Sequence, residues 1–155
     1  MPETYKIPES VLVVIHTPAL EVLMLQRLDH PGYWQSVTGS LDTPGESPEA
    51  AAVREVAEET GLEARGRLVG WRIENRFKIF EWRLPLYRPG VTHNTEHVFG
   101  LTVPRDAEVR LAPREHTRHR WLPWREAAEQ CLSWSNRDAI RLLPTMKALM
   151  EKGLL

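Results

Sequence analysis

Residues 39–62 read GSLDTPGESPEAAAVREVAEETGL, and the rest of the chain is best read outward from them. Ser47-Pro48-Glu49 supplies a hydroxyl N-cap, a proline at the first helical position and an acid in the first turn, and Gly61 is the residue expected just past a helix end. The spacing predicts a helix over Pro48–Thr60. Ala50, Ala51, Ala52, Val53, Val56 and Ala57 give it a small apolar surface that can lie close on a sheet, with Arg54, Glu55, Glu58 and Glu59 along its edge. Residues three and four apart sit about 5–6 Å from each other at Cβ, so Glu55 neighbours both Glu58 and Glu59. Glu58 and Glu59 stand in the last turn, where the helix dipole disfavours carboxylates by about 0.3–1 kcal/mol each. Helix stability does not select this arrangement. A divalent cation does, because it holds crowded carboxylates ionised. Oxygen ligands point to magnesium or manganese, and magnesium commonly bridges carboxylates to substrate phosphates, so a phosphate ester or anhydride is the expected substrate. The alternative is a solvated charged helix with pairs such as Arg54 and Glu58.

Upstream, the β-branched run at 11–15 reads as a buried strand, and residues 22–27 read as its hairpin partner across a turn near Pro18. Residues 33–37 alternate well enough for a third strand ending at Gly39. Downstream, extended segments are expected at 68–72, 77–87 and 98–103, with turns at Pro89-Gly90 and Pro104-Arg105. Helices are expected at 123–131 and 136–152, the second capped by Ser135, with Pro144 a place where it could kink. No repeat or linker divides the chain, which reads as one α+β domain over residues 1–155.

The composition agrees with that. A chain of 155 residues, 42% hydrophobic, can bury a core without a disulfide or a structural metal. Twenty Lys and Arg against 21 Asp and Glu leave a net charge of −1, too balanced to mark a nucleic-acid surface. The single cysteine, Cys131, has no internal partner, and no signal peptide is evident, so a reducing compartment, the cytoplasm, is expected. No apolar stretch approaches the length that spans a bilayer, and neither a membrane nor a protein partner is inferred.

Gly39, Glu46, Arg54, Glu55, Val56, Glu58, Glu59, Gly61 and Leu62 resemble the Nudix box, G-x5-E-x7-R-E-U-x-E-E-x-G-U with U aliphatic. From Glu46 to Leu62 every defined position matches. Upstream, six residues and not five separate Gly39 from Glu46, as though Thr43-Pro44 lengthened the loop. The segments VLVVI, VLMLQR, YWQSVTGS, PGVTHNTE and SWSNRDAI further resemble the Nudix branch that hydrolyses dihydroneopterin triphosphate in folate synthesis.

That resemblance implies an α/β/α Nudix sandwich with a mixed central sheet, and magnesium-dependent hydrolysis of 7,8-dihydroneopterin triphosphate to the monophosphate and pyrophosphate. It assigns metal binding to Glu55 and Glu59, a further ligand or water-orienting role to Glu58, and ion pairing with these acids to Arg54. Another glutamate comes from outside the box, here Glu115, as ligand or general base, with Glu96 and Glu108 as less favoured substitutes. Lys6 and Arg27 are phosphate or pterin contacts, and Thr38 offers its hydroxyl and backbone at a strand end. Phe77, Lys78, Ile79 and Phe80 align with the border of the pterin pocket, and Ser133 completes it. Glu46 either supports the metal acids or holds the loop. Trp34 and Trp134 are stacking or core residues, and Asn136 and Arg137 have no assigned role.

A nucleoside triphosphate diphosphatase would use the same helix. A noncatalytic Nudix-fold sensor could dispense with the acids, and their presence argues against it. The basic segment 114–120 lacks the interleaved aromatics of a nucleic-acid platform.

Overall fold

The computed structural model describes residues 4–155. At its centre is strand β1 (Glu9–His16), buried along nearly its whole length as the unbroken β-branched run requires. Its side chains alternate between two faces. Val11, Val13 and Ile15 pack with Val37, Leu101 and helix α1 (Pro48–Thr60) through Ala51, Ala52 and Val56. Leu12 and Val14 pack on the opposite face with Val98, Trp71 and the last two helices, α2 (Trp124–Gln130) and α3 (Trp134–Glu151), through Ala127, Ala128, Ile140 and Leu143. Each fully buried aliphatic side chain of this kind contributes about 1.5–3 kcal/mol. The result is helix, sheet, helix, the sandwich expected from sequence.

The sheet is mixed and seven-stranded. β1 runs parallel to β6 (His93–Thr102) through eight paired positions, from Glu9↔Thr95 to His16↔Thr102, and β6 pairs antiparallel with β5 (Val69–Lys78). The other edge of β1 is shared: β4 (Val37–Ser40) pairs with it antiparallel over Ser10 to Val13, while β2 (Glu21–Arg27) meets it at His16↔Val22. The expected hairpin therefore closes only at its turn, where Thr17 and Leu20 are hydrogen-bonded across it. Beyond that point β2 leaves to pair with β3 (Trp34–Gln35) and with β7 (His116–Pro123).

Helix α1 has the bounds the sequence gives it: Ser47 accepts the Ala50 N–H, and Gly61 takes the left-handed conformation at φ 73°. Several strand expectations are corrected. The third strand is split at Ser36, whose N–H goes to Asn136 Oδ1 at 2.9 Å and not into a ladder. Residues 77–87 are not one extended segment. β5 reaches back to Val69 and ends at Lys78, and a 3-10 helix (Glu81–Leu86) follows, containing Pro85, which has no N–H to give a strand. Lys6 N–H donates to Leu86 O at 2.8 Å and ties this segment to the chain entering β1. β6 begins five residues before residue 98 because β5 flanks it from His93 onward and β1 from Thr95. α3 begins at Trp134, so Ser133 holds the cap position, and Ser135 lies buried inside the first turn.

A bulge between Gly70 and Ile73, with Arg72 at φ 59°, sets the buried Trp71 ring across Gly100. A Cβ at Gly100 would stand 2.5 Å from Trp71 Nε1 and within 2.9 Å of two ring carbons. Gly100→Ala is expected to cost about 1–3 kcal/mol through overpacking, read as a lower urea midpoint with an unchanged slope. An unchanged midpoint would show that Trp71 repacks freely.

Candidate active site

At one end of the sheet the α3-covered face turns from apolar to polar. A cavity of about 620 Å³ opens there between α1, the sheet, the 3-10 segment and the start of α3. Gly39 lets α1 reach it. A Cβ at Gly39 would overlap the Glu55 carboxyl group, with Oε2 only 2.6 Å away, so the absence of a side chain there is what allows the Glu55 carboxylate to lie against β4.

Arg54 holds that carboxylate from the other side. Its Nη1 donates to Glu55 Oε1 at 2.7 Å, its Nε and Nη2 donate to the two oxygens of Glu46 at 3.0 and 2.9 Å, and Nη2 also reaches Ser40 O at 3.1 Å. Glu46 Oε1 in turn accepts the Asp42 N–H at 2.8 Å. Glu46 thus binds both the loop, at Asp42, and the guanidinium that holds Glu55, and the extra loop residue is accommodated where the turn closes through Glu46 N–H to Thr43 O. The guanidinium beside Glu46 holds that carboxyl below its ordinary pKa.

Glu59 is only 1% exposed, and neither of its carboxylate oxygens accepts a hydrogen bond. Burial, and then the neighbouring Glu55 carboxylate, push its pKa well up; burial also raises Glu55. His116, on β7, places Nε2 3.6 Å from Glu59 Oε1, and its Nδ1 has no partner. Burial, reinforced by Arg27, lowers its pKa to about 4, so it is neutral near pH 7. Glu59, Glu115 and His116 each offer a ligand atom within 4.8 Å of one another. A buried carboxylate without partners at Glu59, beside a neutral imidazole and a second acid, fits a divalent cation.

The cations gather opposite. Lys6, Arg27 and Arg83 all line the cavity. Burial first, then Arg83 and Arg27, lower the Lys6 pKa. Arg27 is oriented by a two-pronged pair with Asp29, at 2.7 and 2.6 Å. Together they give the cavity a cationic side, a charge complementary to a polyanion.

Of the other expected residues, Glu115, Thr38, Phe77, Ile79, Phe80 and Ser133 line the cavity. The Thr38 hydroxyl donates to Val11 O at 2.9 Å, so its proton serves the sheet and only its lone pairs face outward. Ser133 Oγ lies 2.9 Å from Ser135 Oγ. Phe80 stacks on Trp82, with centroids 6.1 Å apart, and Phe77 meets Trp134 edge-on at 6.3 Å. Trp34 is a core residue capped by Arg120, whereas Trp134 is exposed beside the site. Lys78 and Glu108 are exposed and do not line the cavity. Glu58 is half exposed on α1, paired with Arg54 at 3.7 Å, and also lies outside the lining. Sequence reasoning missed Arg83 and His116, gave Asn136 no role and placed Glu96 as a substitute for Glu115. The structure puts all four in the cavity wall.

Comparison with known proteins bears on the family. The chain is 42% identical over 142 residues to dihydroneopterin triphosphate diphosphatase of Escherichia coli (strain K12), covering 89% of this chain and 93% of that protein. It is 38% identical over 141 residues to the protein of the same name from Haemophilus influenzae, covering 88% and 87%. The solved structure of the E. coli dihydroneopterin triphosphate pyrophosphohydrolase superposes with a TM-score of 0.82 at 42% identity, covering 89% of this chain and 95% of that one. The family model for the NUDIX domain matches residues 6–143, and with the box helix, its acids and the sandwich around them this chain belongs to the Nudix hydrolases.

Proposed function

We propose that residues 1–155 act as one Nudix domain that hydrolyses 7,8-dihydroneopterin triphosphate to dihydroneopterin monophosphate and pyrophosphate. One cavity supports this reading. It joins the Arg54-held carboxylate of Glu55 and the unpartnered carboxylate of Glu59 to the cations Lys6, Arg27 and Arg83, and both to an aromatic wall at Phe77 and Phe80. The relatives named for the same substrate match nearly the whole chain. The free thiol of Cys131 suits a reducing compartment, and no helix among the described residues is long and apolar enough to cross a membrane; we place the enzyme in the cytoplasm.

Glu55, Glu59 and Glu115 are the proposed ligands of a divalent cation, magnesium or manganese, with Glu58 as the further acid from the exposed edge of α1. Bound there, the cation would activate water and neutralise phosphate charge. Arg54 fixes Glu55 in place through the Glu46-held loop. Lys6, Arg27 and Arg83 take the triphosphate oxygens and stabilise the charge that grows on the leaving pyrophosphate. A water oxygen attacks the α-phosphorus, and the bond from that phosphorus to the α–β bridging oxygen breaks so that pyrophosphate departs with the bridging oxygen. The proton lost by the water passes to solvent, leaving the monophosphate. Phe77, Phe80 and Ser133 border the ring.

Product analysis tests this. Incubation with the pterin triphosphate and magnesium is expected to release pyrophosphate and the monophosphate in equal amounts. Release of inorganic phosphate and a diphosphate would overturn the proposed cleavage.

A further inference from the structure

Glu96 and Asn94 stand two apart on β6 and so face the same side of the sheet. Both line the cavity, and both are buried, 5% and 4% exposed. Asn94 gives its Nδ2 hydrogen to Ser10 Oγ at 2.7 Å, which leaves its carbonyl Oδ1 without a partner, and Glu96 Oε1 also has none. Each is an acceptor, and a buried acceptor left unpaired is destabilising. Burial raises the Glu96 carboxyl to about 7, with Ser135 and Asn75 hydrogen-bonding to it and offsetting part of the rise.

The sheet register separates this pair from the metal-binding acids. Ser10 on β1 pairs with Ser40 of β4 on one side and with Glu96 of β6 on the other. Two strand spacings, about 10 Å, therefore lie between β4, against which the Glu55 carboxylate rests, and the strand that carries Glu96. Phe77, opposite Asn94 in the β5–β6 ladder, sets an aromatic ring beside the pair.

Two unpartnered acceptors in an enclosed, aromatic-walled pocket call for a planar ligand that presents N–H donors along one edge. We propose that Glu96 and Asn94 form the subsite that reads the 2-amino-4-oxopyrimidine edge of the substrate's ring. Glu96 takes the amino group and the adjacent ring N–H, and Asn94 Oδ1 accepts a further N–H. This rests on the reading of the cavity as a site for a ring-bearing triphosphate. Guanine carries the same edge. Adenine sets a ring nitrogen acceptor beside its amino group, so one of its two atoms would face the Glu96 carboxylate with no hydrogen between them.

The test is Glu96→Gln, which exchanges one acceptor oxygen for a donor. The variant is expected to raise KM for dihydroneopterin triphosphate and to lower kcat/KM about 30-fold. In the wild type kcat/KM for dGTP exceeds that for dATP, and in the variant this order inverts, because a Gln amide matches the adenine edge. A far-UV spectrum and melting curve like those of the wild type confirm that the variant folds. If it does not, Glu96→Asp, which keeps the acceptors but draws them back by one methylene, is expected to raise KM for the pterin and to narrow the preference for dGTP over dATP. An unchanged KM for the pterin with an unchanged dGTP to dATP ratio would overturn the subsite. A wild type that prefers dGTP yet ignores the pterin would overturn the proposed substrate and leave the subsite standing.

Discussion

Glu59→Gln is expected to lower kcat by about 10²–10³-fold, the scale on which a single preorganised electrostatic group acts, while making the metal-free protein harder to unfold. Both effects have one origin. Glu59 is almost wholly buried with no hydrogen bond to either oxygen, so its charge is uncompensated without a cation. An amide there is also poorly satisfied, but it carries no charge, and replacing an unpaired buried ion by a neutral group removes the larger penalty. The sign against pH follows from linkage. The folded-state pKa is raised, so the folded protein binds more protons than the unfolded chain, and metal-free stability falls as pH rises from about 4.5 through the folded value. The melting temperature of the variant should therefore exceed that of the wild type by a few °C at pH 8, and the gap should close toward pH 4.5. Magnesium should raise the melting temperature of the wild type and much less that of the variant. A variant with wild-type turnover, or one less stable than the wild type at pH 8 without metal, would contradict this account of Glu59.

The second large effect expected is at Gly39. Gly39→Ala puts a methyl group where the Glu55 carboxyl now lies. That carboxyl is the far end of a flexible side chain, so it can swing away at little cost to stability, but it cannot remain where Arg54 now holds it at 2.7 Å. A displacement of about 1 Å in a catalytic constellation can cost about 10²-fold in rate. The variant should fold with nearly the wild-type denaturation midpoint, lose about 10²-fold in kcat, and require more magnesium for half-maximal activity. Wild-type kcat at ordinary magnesium would show that the close approach of Gly39 and Glu55 has no part in catalysis.

Helix α1 was legible to its terminal residues because its signals are local: Ser47 caps it, Pro48 starts it and Gly61 ends it within its own stretch of sequence. The two-faced burial of β1 was legible for the same reason. β7 was not, because residues 116–123, HTRHRWLP, carry little alternation, and the strand exists through pairing with the free edge of β2. The segment 77–87 misled in the opposite sense, having β-forming residues but no partner strand past the Lys78↔His93 pair, so the chain left the sheet and entered the 3-10 helix at Glu81.

The site divides along the same line. Arg54, Glu55, Glu58 and Glu59 share one helix, so their spacing could be read from its period, whereas Glu46, ahead of the helix, came only with the resemblance to the Nudix box. His116 reaches Glu59 only because β7 lies against β2. Asn94 and Glu96 reach the cavity only because β6 runs parallel to β1 in one register. A one-residue slip of that register would turn both to the other face. Arg83 arrives on a 3-10 turn that the sequence reading took for strand. Such residues carry no local signal, since each becomes part of the site through tertiary pairing.

The most direct test is the specificity constant for pyrophosphate release from dihydroneopterin triphosphate, set against those for the four deoxynucleoside triphosphates, with magnesium and with chelator. The account predicts magnesium-dependent turnover with the pterin ahead of every nucleotide and dGTP ahead of the other three. A nucleotide turned over more efficiently than the pterin, or turnover that persists in chelator, would contradict it.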